Sequence, residues 1–254
     1  MLLILSPAKT MDTYSQVNSS IYSIPQLLEL ANPLVRILKQ KTTRELAGLM
    51  KVNPDLAQLN YERYQQWHRP FNRANSKPAV FTYRGEVFNG LQIDSFSASD
   101  LTYSQAHLRI LSGLYGVLRP MDLIQAYRLE MGTRLSVGKA KNLYEYWKAA
   151  ITKSIREALN AQGDNTLINL ASNEYFKSID RTTLKANIIT PIFKEHKNGK
   201  TVIITMYAKK ARGMMARFLL RNRINTVESL MHFNENGYYY DDTLSTEKEI
   251  VFSR

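Results

Sequence analysis

The chain of 254 residues contains no cysteine. That absence excludes disulfides, thiolate metal sites, cysteine nucleophiles and thiol-based reduction of peroxide together. Histidine is almost as scarce: His68, His107, His196 and His232 stand far apart, without HxxxH or HExxH spacing. No histidine-based zinc site is expected, and no metal or other cofactor is assigned. No apolar run approaches the roughly 18 residues of a membrane span. The opening residues lack the basic region, long apolar core and small-residue cleavage site of a signal peptide, so a cytoplasmic protein without a membrane partner is expected. Acidic residues are few as well: 22 Asp and Glu face 34 Lys and Arg, a formal charge of +12 at pH 7. Such an excess suits a polyanionic partner, nucleic acid ahead of a membrane surface, although solubility alone would also account for it.

What is present is an ordinary apolar fraction of 44%, enough for one buried core. Met1 to Leu5 reads as a buried first strand that stops at "SPAKT", leaving Lys9 just past the strand end. "PQLLELANPLVRILKQ" is helical in period, with Pro33 expected to kink it or start a second piece. Thr42 and Glu45 fit a capping box, and Asn53-Pro54 an N-cap followed by a first-turn proline. Residues 69–78 read as a loop, and 79–91 are ambiguous between strand and helix. "DNTLINLAS" (164–172) reads as a buried strand, "NIITPIFKEHKNGKTVIITMY" (187–207) as a hairpin turning at Asn198-Gly199, and 238–240 with 248–253 as a final strand pair. Together these describe a single α+β domain over residues 1–254, with a mixed or antiparallel sheet and peripheral helices.

"LSGLYGVLRP" (111–120) raises a sharper question. The preceding residues are helical in period, Gly113 can end a helix, and Pro120 can begin another. Helix, glycine hairpin, helix over about 100–126 is the order of an element that offers bare backbone amides to phosphate, with Gly113 and Gly116 permitting close approach and Arg109 and Arg119 adding charge. Gly113 and Gly116 are one residue further apart than the usual Gly-x-Gly, so a plain helix-to-helix turn fits equally. Tyr115 could stack on a base or belong to the core.

Residues 208–223 contain Lys209, Lys210, Arg212, Arg217, Arg221 and Arg223 and no acid. On a helix at about 100° per residue, Lys210, Arg217 and Arg221 fall within roughly 40° of one another. Three uncompensated cations on one stripe favour a bound polyanion over a merely solvated face. Gly213 inside the pattern either starts a shorter helix or permits close packing.

By these residues the chain resembles a known family, the peroxide stress resistance protein YaaA and its relatives. The resemblance rests on "SPAKT" (6–10), "YRGEVFNGL" (83–91), "LRILSGLYGVLRPMDLIQAYRLEMGTRL" (108–135), "NLASNEYFKSI" (169–179) and "AKKARGMMARFL" (208–219), blocks spread over nearly the whole chain. It implies a single α+β domain with a helix-hairpin-helix-like element beside a basic cleft, DNA binding, and survival under hydrogen peroxide through DNA protection and lower free iron; the binding is expected to lack marked sequence specificity. It places Lys9, Arg84, Arg128, Arg134, Lys177, Lys209, Lys210 and Arg212 on the cleft. One departure is Ala126, where the family often has proline. A monomer is expected.

Two classes of function follow. The first is a DNA-binding protein that contacts phosphates through the hairpin and the basic residues. The second is an enzyme acting on a nucleotide or nucleic acid, with Glu130, Asn173, Glu174 and Lys177 placed to bind or to move protons. Structural roles compete with the second: Glu130 would pair with Arg128 or Arg134, and Asn173 would cap the helix beginning at Glu174.

Overall fold

The computed structural model describes residues 1–17 and 19–254. The run "LLIL" forms β1 (Leu2–Leu5), buried on both faces at the middle of an eight-stranded sheet. β2 (Thr10–Met11) follows. Then come α1 (Leu28–Lys39), α2 (Thr43–Met50) and α3 (Pro54–Gln66). Pro33 lies inside α1 without dividing it: the buried face of Leu28, Ala31, Leu34, Val35 and Leu38 outweighs a penalty of about 3 kcal/mol. Both expected caps form. Thr42 and Glu45 exchange bonds in a capping box, and the Asn53 side chain accepts from the Leu56 amide at 2.9 Å ahead of Pro54.

The stretch read as a loop ends in a short strand, β3 (Lys77–Pro78), and the ambiguous residues 79–91 are both things in turn: α4 (Ala79–Thr82), β4 (Tyr83–Arg84) and α5 (Glu86–Leu91). α6 (Ala98–His107) leads into β5 (Leu108–Ser112), β6 (Gly116–Leu118) and β7 (Leu123–Ile124). After the long α7 (Leu143–Gln162) come β8 (Thr166–Leu170), α8 (Asn173–Phe176), α9 (Arg181–Leu184), β9 (Asn187–Lys197) and β10 (Lys200–Val202). Asn198 and Gly199 turn β9 into β10 with φ of 53° and 70°, the geometry their side chains forecast. The second strand is shorter than its apolar run, because the chain turns at Ile203 and Ile204 into α10 (Thr205–Arg221). α11 (Val227–Leu230) and the antiparallel pair β11 (Tyr239–Tyr240) and β12 (Glu249–Ser253) finish the chain.

The sheet is mixed, in the order β11, β12, β9, β8, β1, β5, β6, with β10 on β9. Its inner strands β12, β9, β8, β1 and β5 are all parallel, and antiparallel partners lie only at the margins. From β1 the chain goes to β5 on one side, returns through α7 to β8 on the other, and then moves outward. The loops leaving β1 and β8 therefore diverge, and such a point opens a crevice past the C-terminal ends of the two strands.

The expected helix-hairpin-helix is not there. After His107 the backbone straightens, because "LRILS" finds a wholly buried place beside β1, and Pro120 starts no helix. The glycines turn a buried β-hairpin instead. Gly116 has φ +70°, and a Cβ there would lie 2.7 Å from the Trp147 ring; at Gly113 it would lie 2.1 Å from the Leu129 carbonyl oxygen. Both positions need glycine because protein, not phosphate, comes close.

A candidate anion-binding cleft

Two glycines set the cleft's wall. Where α5 crosses α10, a Cβ on Gly90 would sit 2.1 Å from the Lys210 carbonyl oxygen, and one on Gly213 would sit 1.8 Å from that of Val87. Of the two roles open to Gly213, close packing is the one observed. Backbone touching backbone brings Lys209 and Arg212 of α10 over the loop that leaves β4.

The crevice between β1 and β8 is a cavity of ≈ 600 Å³. The post-β1 loop (6–10), Arg84 to Phe88, residues 127–130, the post-β8 segment and Lys209 with Arg212 line it. Ser6 joins the two loops: its Oγ accepts from the Ser172 amide at 2.9 Å and donates to the Ser172 Oγ at 3.2 Å. Glu130 sits between two cations, 2.9 Å from Lys9 Nζ and 2.9 Å from the Arg128 guanidinium. Arg84 reaches out of the cavity to Asp12 at 2.9 Å. The Asp12 carboxyl is held far below the usual carboxylate range, first by the Ser15 amide, with Tyr14 and Lys77 adding to it. Glu174 accepts from the Gly132 amide at 2.9 Å.

The floor is aromatic and apolar: Phe88, Tyr127, Leu129, Leu170 and Tyr175 are buried. Tyr127 meets Tyr83 at 2.7 Å and Ser112 at 2.6 Å, and burial pushes its phenol up to about 12. Burial drives Tyr175 well above its usual range too. These phenols stay neutral and serve as wall and hydrogen-bonding groups.

Arg212 stands apart from the other cations. It is half-buried, burial lowers its pKa, and among the described residues no carboxylate or other acceptor meets its guanidinium. Lys209, one turn earlier at the exposed rim, likewise has no ion pair among them.

The structure divides the residues singled out from sequence. Lys9, Arg84, Arg128, Lys209, Arg212, Glu130, Asn173 and Glu174 share the cleft. Arg134 and Lys177 are exposed outside it, Lys177 in a depression with Lys148 and Asp180. Lys210 and Arg217 face a separate groove, where Arg217 binds Glu235 and Gln92, and Arg221 is exposed beyond. The stripe read as uncompensated is thus partly neutralised, by an acid 18 residues further along the chain.

The hairpin residues lie inside the protein. Gly113 and Gly116 are buried, and Arg109 gives its guanidinium to the carbonyls of Gln105 at 2.9 Å and Leu108 at 2.8 Å, burial lowering its pKa to about 10. Arg119 pairs with Asp122 at 2.9 Å. Tyr115 is wholly buried, accepting from the Trp67 indole at 3.1 Å, so it belongs to the core. Glu130 does pair with Arg128, but Asn173 is not the cap: Ser172 holds that position, and its side chain makes no capping bond to the helix. Sequence reasoning gave no role to Asp12 or Tyr127. "TMD" carries no pattern, and Tyr127 lay in the block "QAYRLE" without being singled out.

Among the described residues, no three His, Cys, Asp or Glu side chains gather as a metal set, and no helix is long and apolar enough to cross a membrane. Residues 1–244 match the family described as Peroxide stress protein YaaA. A UPF0246 protein of Shewanella loihica is 47% identical over 254 residues, covering 100% of this chain and 98% of the relative. UPF0246 proteins from two strains of Aliivibrio fischeri are each 46% identical with the same coverage. With a match of this extent, the chain belongs to the peroxide stress protein YaaA family.

Proposed function

We propose that this peroxide-stress protein binds DNA, holding phosphate in the cleft between the C-terminal ends of β1 and β8, and that it protects or helps repair DNA rather than destroying peroxide. Arg212 carries the reading. A guanidinium that is partly desolvated and has no protein anion beside it is costly, and an anionic ligand offsets that cost. Lys209 at the rim adds a second cation with no ion pair among the described residues, Lys9 and Arg128 together outweigh Glu130, Arg84 is paired with Asp12, and the formal charge of +12 draws polyanions toward the cleft. With no cysteine, no thiol route to peroxide exists in this chain.

A salt series of duplex binding tests the proposal. The Lys209→Gln, Arg212→Gln double variant should lower the log-log slope by nearly two, about 0.9 for each phosphate no longer neutralised. Replacing Lys210, Arg217 and Arg221 by alanine should lower it less, since Arg217 is already paired with Glu235. An unchanged slope and affinity in the double variant would sink the proposal.

One observation favours a second reading, an enzyme acting on nucleotides or nucleic acid. Glu130 and Glu174 line the same cavity as Asn173, and Glu130 is 2.9 Å from the Lys9 ammonium, an arrangement suited to general acid–base work. Lys177, outside the cavity, leaves that set. Full peroxide survival in cells carrying Glu130→Gln and Glu174→Gln together would argue against catalysis by these carboxylates.

A further inference from the structure

The cleft has two kinds of wall. Its rim is cationic, with Lys9 and Lys209 exposed and Arg212 half-buried, while its floor is made of buried Phe88, Tyr127 and Tyr175. Between them the half-buried Glu130 and Arg128 offer an acceptor and a donor. An isolated phosphate would use the rim and leave the floor untouched. A double helix carries its phosphates on the outside and its bases stacked within, so it cannot enter a cavity of ≈ 600 Å³. That volume falls in the roughly 300–1,000 Å³ range of sites that enclose one small molecule. The occupant that matches is flat and apolar at one end, polar at its edge and anionic at the other.

We infer that the cleft takes a single nucleotide turned out of a DNA strand, its phosphate on Arg212 and Lys209 and its base against the floor of Tyr127, Tyr175 and Phe88. This rests on the phosphate-binding reading above and deepens it. Turning a nucleotide out of a stack costs free energy, least where the base is unpaired or mismatched. The protein therefore selects sites in DNA where pairing is already lost. Glu130 does not oppose the phosphate, because Lys9 and Arg128 balance its charge, and the lone pairs they leave free can accept from N–H groups at a base edge.

The test uses the wild-type protein and DNA carrying one 2-aminopurine, whose fluorescence rises when it leaves the stack. The probe is placed opposite an abasic position in one duplex and opposite thymine in another. Binding should raise the fluorescence several-fold in the first duplex and less in the second. Deoxyadenosine monophosphate should compete with the DNA at least about tenfold better than inorganic phosphate, the difference expected from base contact with aromatic side chains. Arg212→Gln should abolish the rise.

DNA binding that depends on Arg212, with flat fluorescence and equal competition by the nucleotide and inorganic phosphate, would overturn the inference and leave the DNA-binding reading standing. Failure to bind either duplex would overturn both.

Discussion

Gly116 carries two constraints at once: a left-handed backbone, φ +70°, and the Trp147 ring 2.7 Å from where a Cβ would stand. Trp147 cannot retreat freely, because its indole donates to the Gly113 carbonyl at 2.9 Å. Gly116→Ala should therefore lose about 2 to 4 kcal/mol, the sum of backbone strain and overpacking, read as a lower urea midpoint with an unchanged m-value. Asp12 offers a residue-scale test of pH. Its folded pKa is depressed, so its contribution is present above the unfolded pKa and is lost as pH falls through the acid range. Wild type should lose stability between about pH 5 and pH 3 more steeply than Asp12→Asn, which has no proton to take up there. Parallel stability curves for the two proteins would exclude the role.

At the scale of elements, the α5–α10 crossing links packing to the cleft. Gly213→Ala would add roughly 1 kcal/mol of helix propensity to α10. Its Cβ would stand 1.8 Å from the Val87 carbonyl oxygen, and backbone cannot yield as a flexible side chain does. The clash wins: the variant should melt at a lower temperature, and the displaced helix should carry Lys209 and Arg212 away from the cavity, weakening the proposed DNA binding. A variant with wild-type melting temperature and affinity would show that the two helices can part without consequence. The same scale explains the misread hairpin. Leu101, Leu108 and Leu111 share a helical period, but a stretch of alternate and consecutive apolar residues also suits a strand buried on both faces. Pairing with β1 was decided by a partner more than 100 residues earlier, at Leu3, Ile4 and Leu5, which local periodicity does not contain.

For the whole molecule, the strand order places the site. β1 and β8 are adjacent, yet residues 6–165 lie between them in the chain, so the crevice past their ends arises only when the sheet closes. The chain does announce much of itself locally. Its missing cysteines rule out thiol chemistry, its capping residues mark the starts of α2 and α3, and Asn198-Gly199 marks a hairpin, because each is a property of a residue or its near neighbours. Lys9 past the first strand and Arg212 in the basic segment were both legible as cations. The family resemblance grouped eight cations on one cleft, but Arg134, Lys177 and Lys210 lie outside it, and the ion pairs were not legible. Lys9 and Glu130 are far apart in the chain and 2.9 Å apart in space, and Arg217 is neutralised by Glu235 while Arg212 is not. Composition and local pattern determined the charge, the α+β class and many element boundaries. Tertiary structure alone decided that the glycine hairpin is core and which of the cations converge between β1 and β8, because ion pairing and burial depend on distances in space, which sequence separation does not set.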